Sequence, residues 1–341
     1  MFFIVAGHFL GQSGAILADA GMANFVFNTI FGQGSRIAVN GFLILGCYFM
    51  AGSTFRGERF LKLWLQEFFY TFVLTMAMFF ITPGQVSVTA IGWSMLPIMG
   101  WNHNHWYITV YLVLILLSPF LNKLFELEQP KIKRFLIIAT ICGAALNSLY
   151  NREDGYFGCV AWFIYIFLLM GYYKLYLKEK VRGKYIWLCL GVVGYLLLAF
   201  AAMMPQLMEV QGILARISNL ANNFLGDIKT LPNLFVAFCI FVFFSKLEMG
   251  SVKWINFFST STLAVYIVHQ TEAFYPFLWE RVFKASAFYT RAVWPLYSLG
   301  CIAALFVIVT LIDKIRVSLL EKNILKLEVI KRLISKLDRN I

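Results

Sequence analysis

Tyr185-Ile-Trp-Leu-Cys-Leu-Gly-Val-Val-Gly-Tyr-Leu-Leu-Leu-Ala-Phe-Ala-Ala-Met-Met204 runs for twenty residues without a charged side chain. Wound as an α-helix at 1.5 Å per residue, it is about 30 Å long, which matches the hydrocarbon core of a bilayer. Comparable apolar runs lie outward from it at 1–17, 37–54, 63–82, 105–122, 134–150, 157–176, 232–246, 254–279 and 292–313. Together they predict ten membrane spans joined by short connections. Two of them are weaker: 232–246 is short, and 254–279 carries polar residues through its middle.

Composition agrees with that reading. Of 341 residues 60% are hydrophobic and only 13% charged, with 35 Phe and 9 Trp. Soluble domains carry about 25% charged residues, so a water-soluble enzyme could not hide this much apolar surface in one core. Disorder is excluded for the same reason. The fold class is all-α, a polytopic membrane helix bundle.

Lys and Arg number 29 against 17 Asp and Glu, a formal charge of +12. In a soluble protein that excess would suggest nucleic acid. In a membrane protein it is the positive-inside bias of cytoplasmic loops. With the N-terminus cytoplasmic and the spans alternating, 22 basic residues fall inside, eight of them beyond residue 313, and 7 fall outside. Both termini are therefore expected in the cytoplasm, with membrane lipid and no nucleic acid as the surroundings. The start, Met1-Phe-Phe-Ile-Val-Ala-Gly-His8, lacks the basic leader of a signal peptide and reads as a helix already under way. The six cysteines lie in apolar stretches without CxxC or Cys/His spacing and are expected as buried small hydrophobes.

Residues 314–341 change character. Leu320, Ile324, Leu327, Ile330, Ile334 and Leu337 recur at helical spacing with Lys and Arg between them. This predicts a basic amphipathic tail helix beyond a membrane domain of residues 1–313, lying on the anionic inner leaflet. The alternative is a helix that packs on the bundle or self-associates.

Ionisable groups inside a span are costly, and each marks a candidate site. His8 in the first span would be mostly neutral and able to act as a base, or else is a packing histidine. His269 and Glu272 stand three residues apart in the ninth span, a spacing that puts imidazole and carboxylate on one helix face. There they would carry a proton, bind a hydroxyl, or clamp two helices. Arg56 and Arg59 follow the second span as Arg-x-x-Arg, which suits a phosphate-bearing ligand or simply marks topology. His103 and His105 precede the fourth span beside Trp106; no third ligand is apparent, and an interfacial aromatic belt is favoured over a metal. Glu67, with Gln66, is a weaker candidate in the third span. The phosphate-loop GxxxxGK[ST], GxSxG, HExxH and GxGxxG patterns are all absent. Any chemistry must come from scattered intramembrane groups.

With the spans placed, several segments resemble the acyltransferase-3 family of integral membrane acyltransferases over residues 1–313. They are Ile4-Val-Ala-Gly-His8-Phe9, then Ser35-Arg36-Ile-Ala-Val39-Asn40-Gly-Phe42-Leu-Ile-Leu-Gly46-Cys47-Tyr48-Phe49, and Arg56-Gly-Glu-Arg59. His105-Trp106-Tyr107-Ile-Thr-Val-Tyr111-Leu, ending in Ser118-Pro119, and Tyr266-Ile-Val-His269 complete the set. The second is similar to the family's Val-x-x-Phe-Phe-x-x-Ser-Gly-Tyr-Phe and the last to its Tyr-Leu-Ile-His. Departures are Gly46-Cys47 for Ser-Gly and Asn40 where an acidic residue is often found. The family also places an arginine eleven residues before the first-helix histidine, whereas Met1 is seven before His8. The expectation is that the natural start lies upstream.

The resemblance implies an O-acyltransferase, with acetyl the expected group, in a bacterial inner or plasma membrane. The donor would be cytoplasmic acyl-CoA, with no permanently bound cofactor and no metal. The acceptor would be a hydroxyl of an extracytoplasmic glycan or lipid-linked sugar. It makes His8 the base or acyl-carrying residue and Arg56 and Arg59 contacts for the donor phosphates. Arg36, Asn40, Trp106, Tyr111, His269 and Glu272 would line the cavity. The rival readings are a proton-coupled transporter or flippase and a non-catalytic partner in polysaccharide assembly.

Overall fold

The computed structural model describes residues 1–15, 21–96, 105–145, 155–207, 227–248 and 250–340. They are helical, with no strand among the described residues. The main helices are α1 (Phe2–Gln12), α2 (Gly21–Met50), α3 (Gly57–Ile81), α4 (Val88–Ser94), α5 (Trp106–Lys123) and α6 (Gln129–Ala139). They continue as α7 (Gly155–Tyr172), α8 (Lys184–Leu207), α9 (Leu231–Ser245), α10 (Lys253–Ser259), α11 (Thr262–Gln270), α12 (Trp294–Arg316) and α13 (Glu328–Asn340).

The expected ten spans are not all present as single helices. Five described helical stretches are long and apolar enough to cross a membrane: Gly57–Ile81, Trp106–Glu126, Gly158–Leu177, Lys184–Met204 and Trp294–Ile324. Phe2–Gln12 and Leu231–Ser245 are apolar but shorter. The predicted span 254–279 is broken into α10, α11 and a π-turn at Phe277–Val282. Thr271 ends α11 because it is extended (ψ 116°), although its amide and its hydroxyl both still donate to the Ile267 carbonyl. The predicted span 134–150 starts earlier, as α6, with Pro130 in its first turn, and passes into a π-turn at Thr140–Ala145.

The chain divides into two compact units. The first comprises Met1–Leu10, Asp19–Ser53 and Leu117–Met249. Here α2 packs against α7, α8 and α9. Its core is Leu43, Ile44 and Cys47 of α2, Phe163, Ile166 and Phe167 of α7, and Leu234, Ala237 and Val242 of α9. Small residues let these helices approach: a methyl at Gly194 of α8 would lie 2.8 Å from Val236 of α9. The same device seats α1 on α2. A Cβ on Gly7 would fall 2.3 Å from that of Ser35, and one on Gly34 would fall 2.5 Å from the Phe3 ring.

The second unit comprises Gly11–Ala18, Thr54–Leu116 and Gly250–Ile341. Here α11 packs on both α3 and α12, and α4 and α13 pack on α3. Its core holds Leu61, Tyr70 and Met78 of α3, Ala264 to Ile267 of α11, and Ile302, Leu305 and Val309 of α12.

One smaller expectation is corrected. Cys47, Cys239 and Cys301 are buried, but Cys142 and Cys189 are exposed on outward faces and Cys159 is half-buried. In a lipid environment an outward cysteine needs no core to hide in. The tail helix packs on α3, as in the alternative expectation: Ile334 and Leu337 of α13 lie against Gly57, while Val329 and Leu333 remain exposed.

Candidate active site

α3 organises the polar chemistry of the second unit. Gln66, Glu67, Tyr70, Thr71 and Thr75 recur at i, i+4 and i+8 on its inward side and are all buried. Around Glu67 the partners are His105, which stands just before α5, and Thr71. Glu67 Oε1 lies 2.6 Å from His105 Nδ1 and accepts from the Thr71 hydroxyl at 3.2 Å. His105 Nε2 is 3.2 Å from the Ile267 carbonyl of α11. A carbonyl can only accept, so Nε2 is the donor to Ile267, while Nδ1 faces the carboxylate. The pair thus ties α3, α5 and α11 together. His105 is fully buried, not part of an interfacial belt. The other carboxylate oxygen, Glu67 Oε2, is buried without a hydrogen-bond partner among the described residues.

Beside them on α3, Tyr70 and Gln66 donate to Asp313 Oδ1 of α12 at 2.9 and 3.2 Å. Arg316 Nε donates to the same oxygen at 2.9 Å, and its terminal nitrogen pairs with Glu321 at 2.9 Å. Every charge in this cluster has a counter-charge, which is the condition for burying it.

His269 is fully buried on α11. Its Nδ1 sits 2.5 Å from the Val265 carbonyl, which can only accept, so Nδ1 is the donor. Next to it, Gln270 accepts from Gln12 at 3.2 Å, and Gln12 accepts from Trp279 at 2.8 Å. Tyr266 lies between His105 and His269, with ring centroids 5.9 and 6.1 Å away. Tyr107 and Tyr111 stack beside it at 6.0 Å. Trp106 is half-buried and meets Tyr107 edge-on at 5.8 Å. The expected His269–Glu272 pairing on one face does not form. α11 ends at Gln270, and the extended Thr271 turns Glu272 outward to an exposed position.

The two ends of α3 differ. At its start Arg56 and Arg59 are both exposed. The Gly57 amide there donates to Asp338 Oδ1 of α13 at 2.6 Å, so a carboxylate from the tail caps the helix. At its far end, about 37 Å away for 25 residues, two adjoining cavities open. One, of about 290 Å3, is lined by Thr71, Thr75, Gln85, Ser87, Trp93 and Glu272, among others. The other, of about 600 Å3, includes Thr82, Gln85, Glu272, Glu280 and Arg281. Gln85, Val86, Glu272 and Ala273 line both.

In the first unit, His8 is half-buried on α1 beside the tight Gly7–Ser35 contact. Asn40 is fully buried, and both ends of its amide are engaged: it donates to the Ile228 carbonyl at 2.8 Å and accepts from Trp162 at 3.0 Å. One turn earlier Arg36 donates to Gln33 at 3.1 Å and feels the charge of Asp227. Gln33 itself donates to Asn233 at 2.7 Å. Asn40 thus joins helices, and Arg36 belongs to the same polar ladder.

A comparison with protein families matches the acyltransferase domain family over residues 1–313. The chain belongs to the acyltransferase-3 family. No curated protein and no solved structure gives a match. This acyltransferase has apolar helices of membrane length and is a multi-pass membrane protein. The family match ends at residue 313, yet α12 continues to Arg316 and the helical path to Ile324.

Of the residues expected from sequence, the acyltransferase brings Trp106, Tyr111 and His269 into one aromatic cluster around Tyr266, with Glu272 on the nearby cavities. Arg56 and Arg59 stand apart at the opposite end of α3. His103 lies outside the described residues. No group of three or more His, Cys, Asp or Glu among the described residues could hold a metal. Sequence reasoning missed the Asp313–Arg316 cluster, because Asp313 fell on the predicted end of a span. The available signal was the i, i+4 repetition of polar residues along α3.

Proposed function

We propose that the chain is a membrane-embedded O-acyltransferase, residues 1–313 forming its catalytic domain and 314–341 a cytoplasmic tail. It moves an acyl group, acetyl in the simplest case, from cytoplasmic acyl-CoA to a hydroxyl of an extracytoplasmic glycan or lipid-linked sugar. Both termini are cytoplasmic, and the location is the cell membrane. α3 carries this reading: a family member has an exposed arginine pair at one end of a membrane-length helix and a polar groove at the other.

Arg56 and Arg59 hold the donor phosphates by charge-assisted hydrogen bonds. His8 takes the acceptor's hydroxyl proton as that oxygen attacks the thioester carbonyl. The C–S bond breaks, and the proton ends on the departing CoA thiolate. Alternatively the His8 imidazole accepts the acyl group first and passes it on. Arg36 stabilises negative charge developing on the carbonyl oxygen. Trp106, Tyr111 and His269 line the path, and Glu272 binds the acceptor.

The test is incubation of purified full-length protein with radiolabelled acetyl-CoA and cell-envelope glycan. Transfer by wild type and its loss in His8→Ala are expected. Absence of wild-type transfer, with substrate-dependent proton flux in its place, overturns the reading in favour of transport.

A further inference from the structure

The two cavities at the end of α3 share a wall of Gln85, Val86, Glu272 and Ala273 and so form one two-lobed groove. We infer that this groove is a binding site for an uncharged, hydroxyl-rich chain of at least two sugar units, and that Glu272 and Gln85 hold the ligand where the lobes meet. The inference rests on the O-acyltransferase reading and narrows its acceptor to a neutral glycan chain rather than a phosphate-bearing lipid-linked sugar.

Three observations support it. The first is the hydrogen-bonding inventory. Hydroxyls from Thr75, Thr82 and Ser87 line the groove together with the Gln85 amide and the Glu272 and Glu280 carboxylates. The side chains of Gln85 and Glu272 make no hydrogen bond among the described residues and are exposed to the groove. An amide offers both donor and acceptor and a carboxylate accepts strongly, which is the set a polyol satisfies. An acyl chain would leave the Gln85 amide and the Glu272 carboxylate unpaired.

The second is charge. Among the described lining residues two carboxylates, Glu272 and Glu280, face one arginine, Arg281, so this lining is net acidic. That disfavours phosphate and diphosphate, whose binding wants Arg or helix N-termini.

The third is shape and rigidity. The larger lobe alone, about 600 Å3, lies within the range that encloses a drug-sized ligand. The short helix α4 is held by Ser87, whose hydroxyl caps the Ala90 amide at 3.1 Å and bonds Thr89 at 2.7 Å. It presents the partly exposed Trp93 indole to the smaller lobe. An indole face suits the C–H face of a sugar ring, while the surrounding polar groups take its hydroxyls.

The test is equilibrium binding to the full chain in detergent without donor. Maltohexaose, cellohexaose and chitohexaose serve as neutral probes and oligogalacturonate as the anionic one. At least one neutral probe should bind and the anionic probe should not. Glu272→Gln and Gln85→Ala should each weaken binding about tenfold, and Glu272→Asp should retain most of it. Thermal melts of each variant separate lost binding from lost folding. Failure of every neutral probe, preference for the anionic probe, or unchanged affinity in folded variants overturns the site. Acetyl transfer is scored separately. Oligosaccharide binding without transfer removes the enzyme reading and leaves the groove; transfer with an unaltered acceptor KM in the variants removes the groove and leaves the enzyme.

Discussion

Glu67 Oε1 and His105 Nδ1 lie 2.6 Å apart with both side chains buried, and the far nitrogen of the imidazole is tied to the Ile267 carbonyl of α11. One imidazole therefore joins three helices. Removing either partner strands the other in an apolar interior, a change that costs about 3 kcal/mol or more. Glu67→Leu and His105→Leu should each lower the melting temperature sharply. The double change should cost less than the two single changes together, because it leaves no uncompensated group. Thermal unfolding in detergent by fluorescence-detected gel filtration measures the coupling, and strict additivity would refute it.

α1 is seated by a missing side chain. Gly7→Ala should push α1 away from α2, since the added Cβ would lie 2.3 Å from that of Ser35. His8 is the next residue, so acyl transfer should fall by about tenfold or more while the protein stays folded. The paired change Ser35→Gly should restore it. Activity of the three variants against labelled acetyl-CoA is the measurement.

Arg56→Ala with Arg59→Ala should weaken acyl-CoA binding about tenfold or more. Wild-type binding should fall with added salt, because both arginines are exposed and screened. The melting temperature should hardly move. Unchanged CoA affinity in the double variant would count against the phosphate role.

Asp338→Ala should release the tail. Its carboxylate caps Gly57 at 2.6 Å, and loss of such a cap costs about 1 kcal/mol. Gly57→Val should do the same sterically, with Leu337 Cβ only 3.0 Å from a Cβ at that position. Limited proteolysis should cut both variants between α12 and α13 faster than wild type. Equal rates would mean that the contact does not hold the tail.

The class of fold was readable from uncharged runs such as 185–204, because lipid selects for apolar side chains one residue at a time. Helix ends were harder. The predicted span began at residue 37, yet α2 begins at Gly21 and buries Asn24, Asn28 and Gln33. Averaged hydropathy counts a polar group as a cost and does not see a partner distant in sequence, such as Asn233 for Gln33. The His269–Glu272 spacing misled for another reason: helical periodicity assumes that the helix continues, and Thr271 stops it. His105 likewise passed for a surface residue because Glu67 is 38 positions away.

The polar side of α3 also bears on biogenesis. Gln66, Glu67, Tyr70, Thr71 and Thr75 enter the membrane before their partners have been synthesised: His105 follows Glu67 by 38 residues and Asp313 follows Tyr70 by 243. Alone in lipid Glu67 lacks His105, and Gln66 and Tyr70 lack Asp313, and each unsatisfied group is expensive. The polar side of α3 is therefore completed only once α12 has been made, and docking of Asp313 is a late step in assembly.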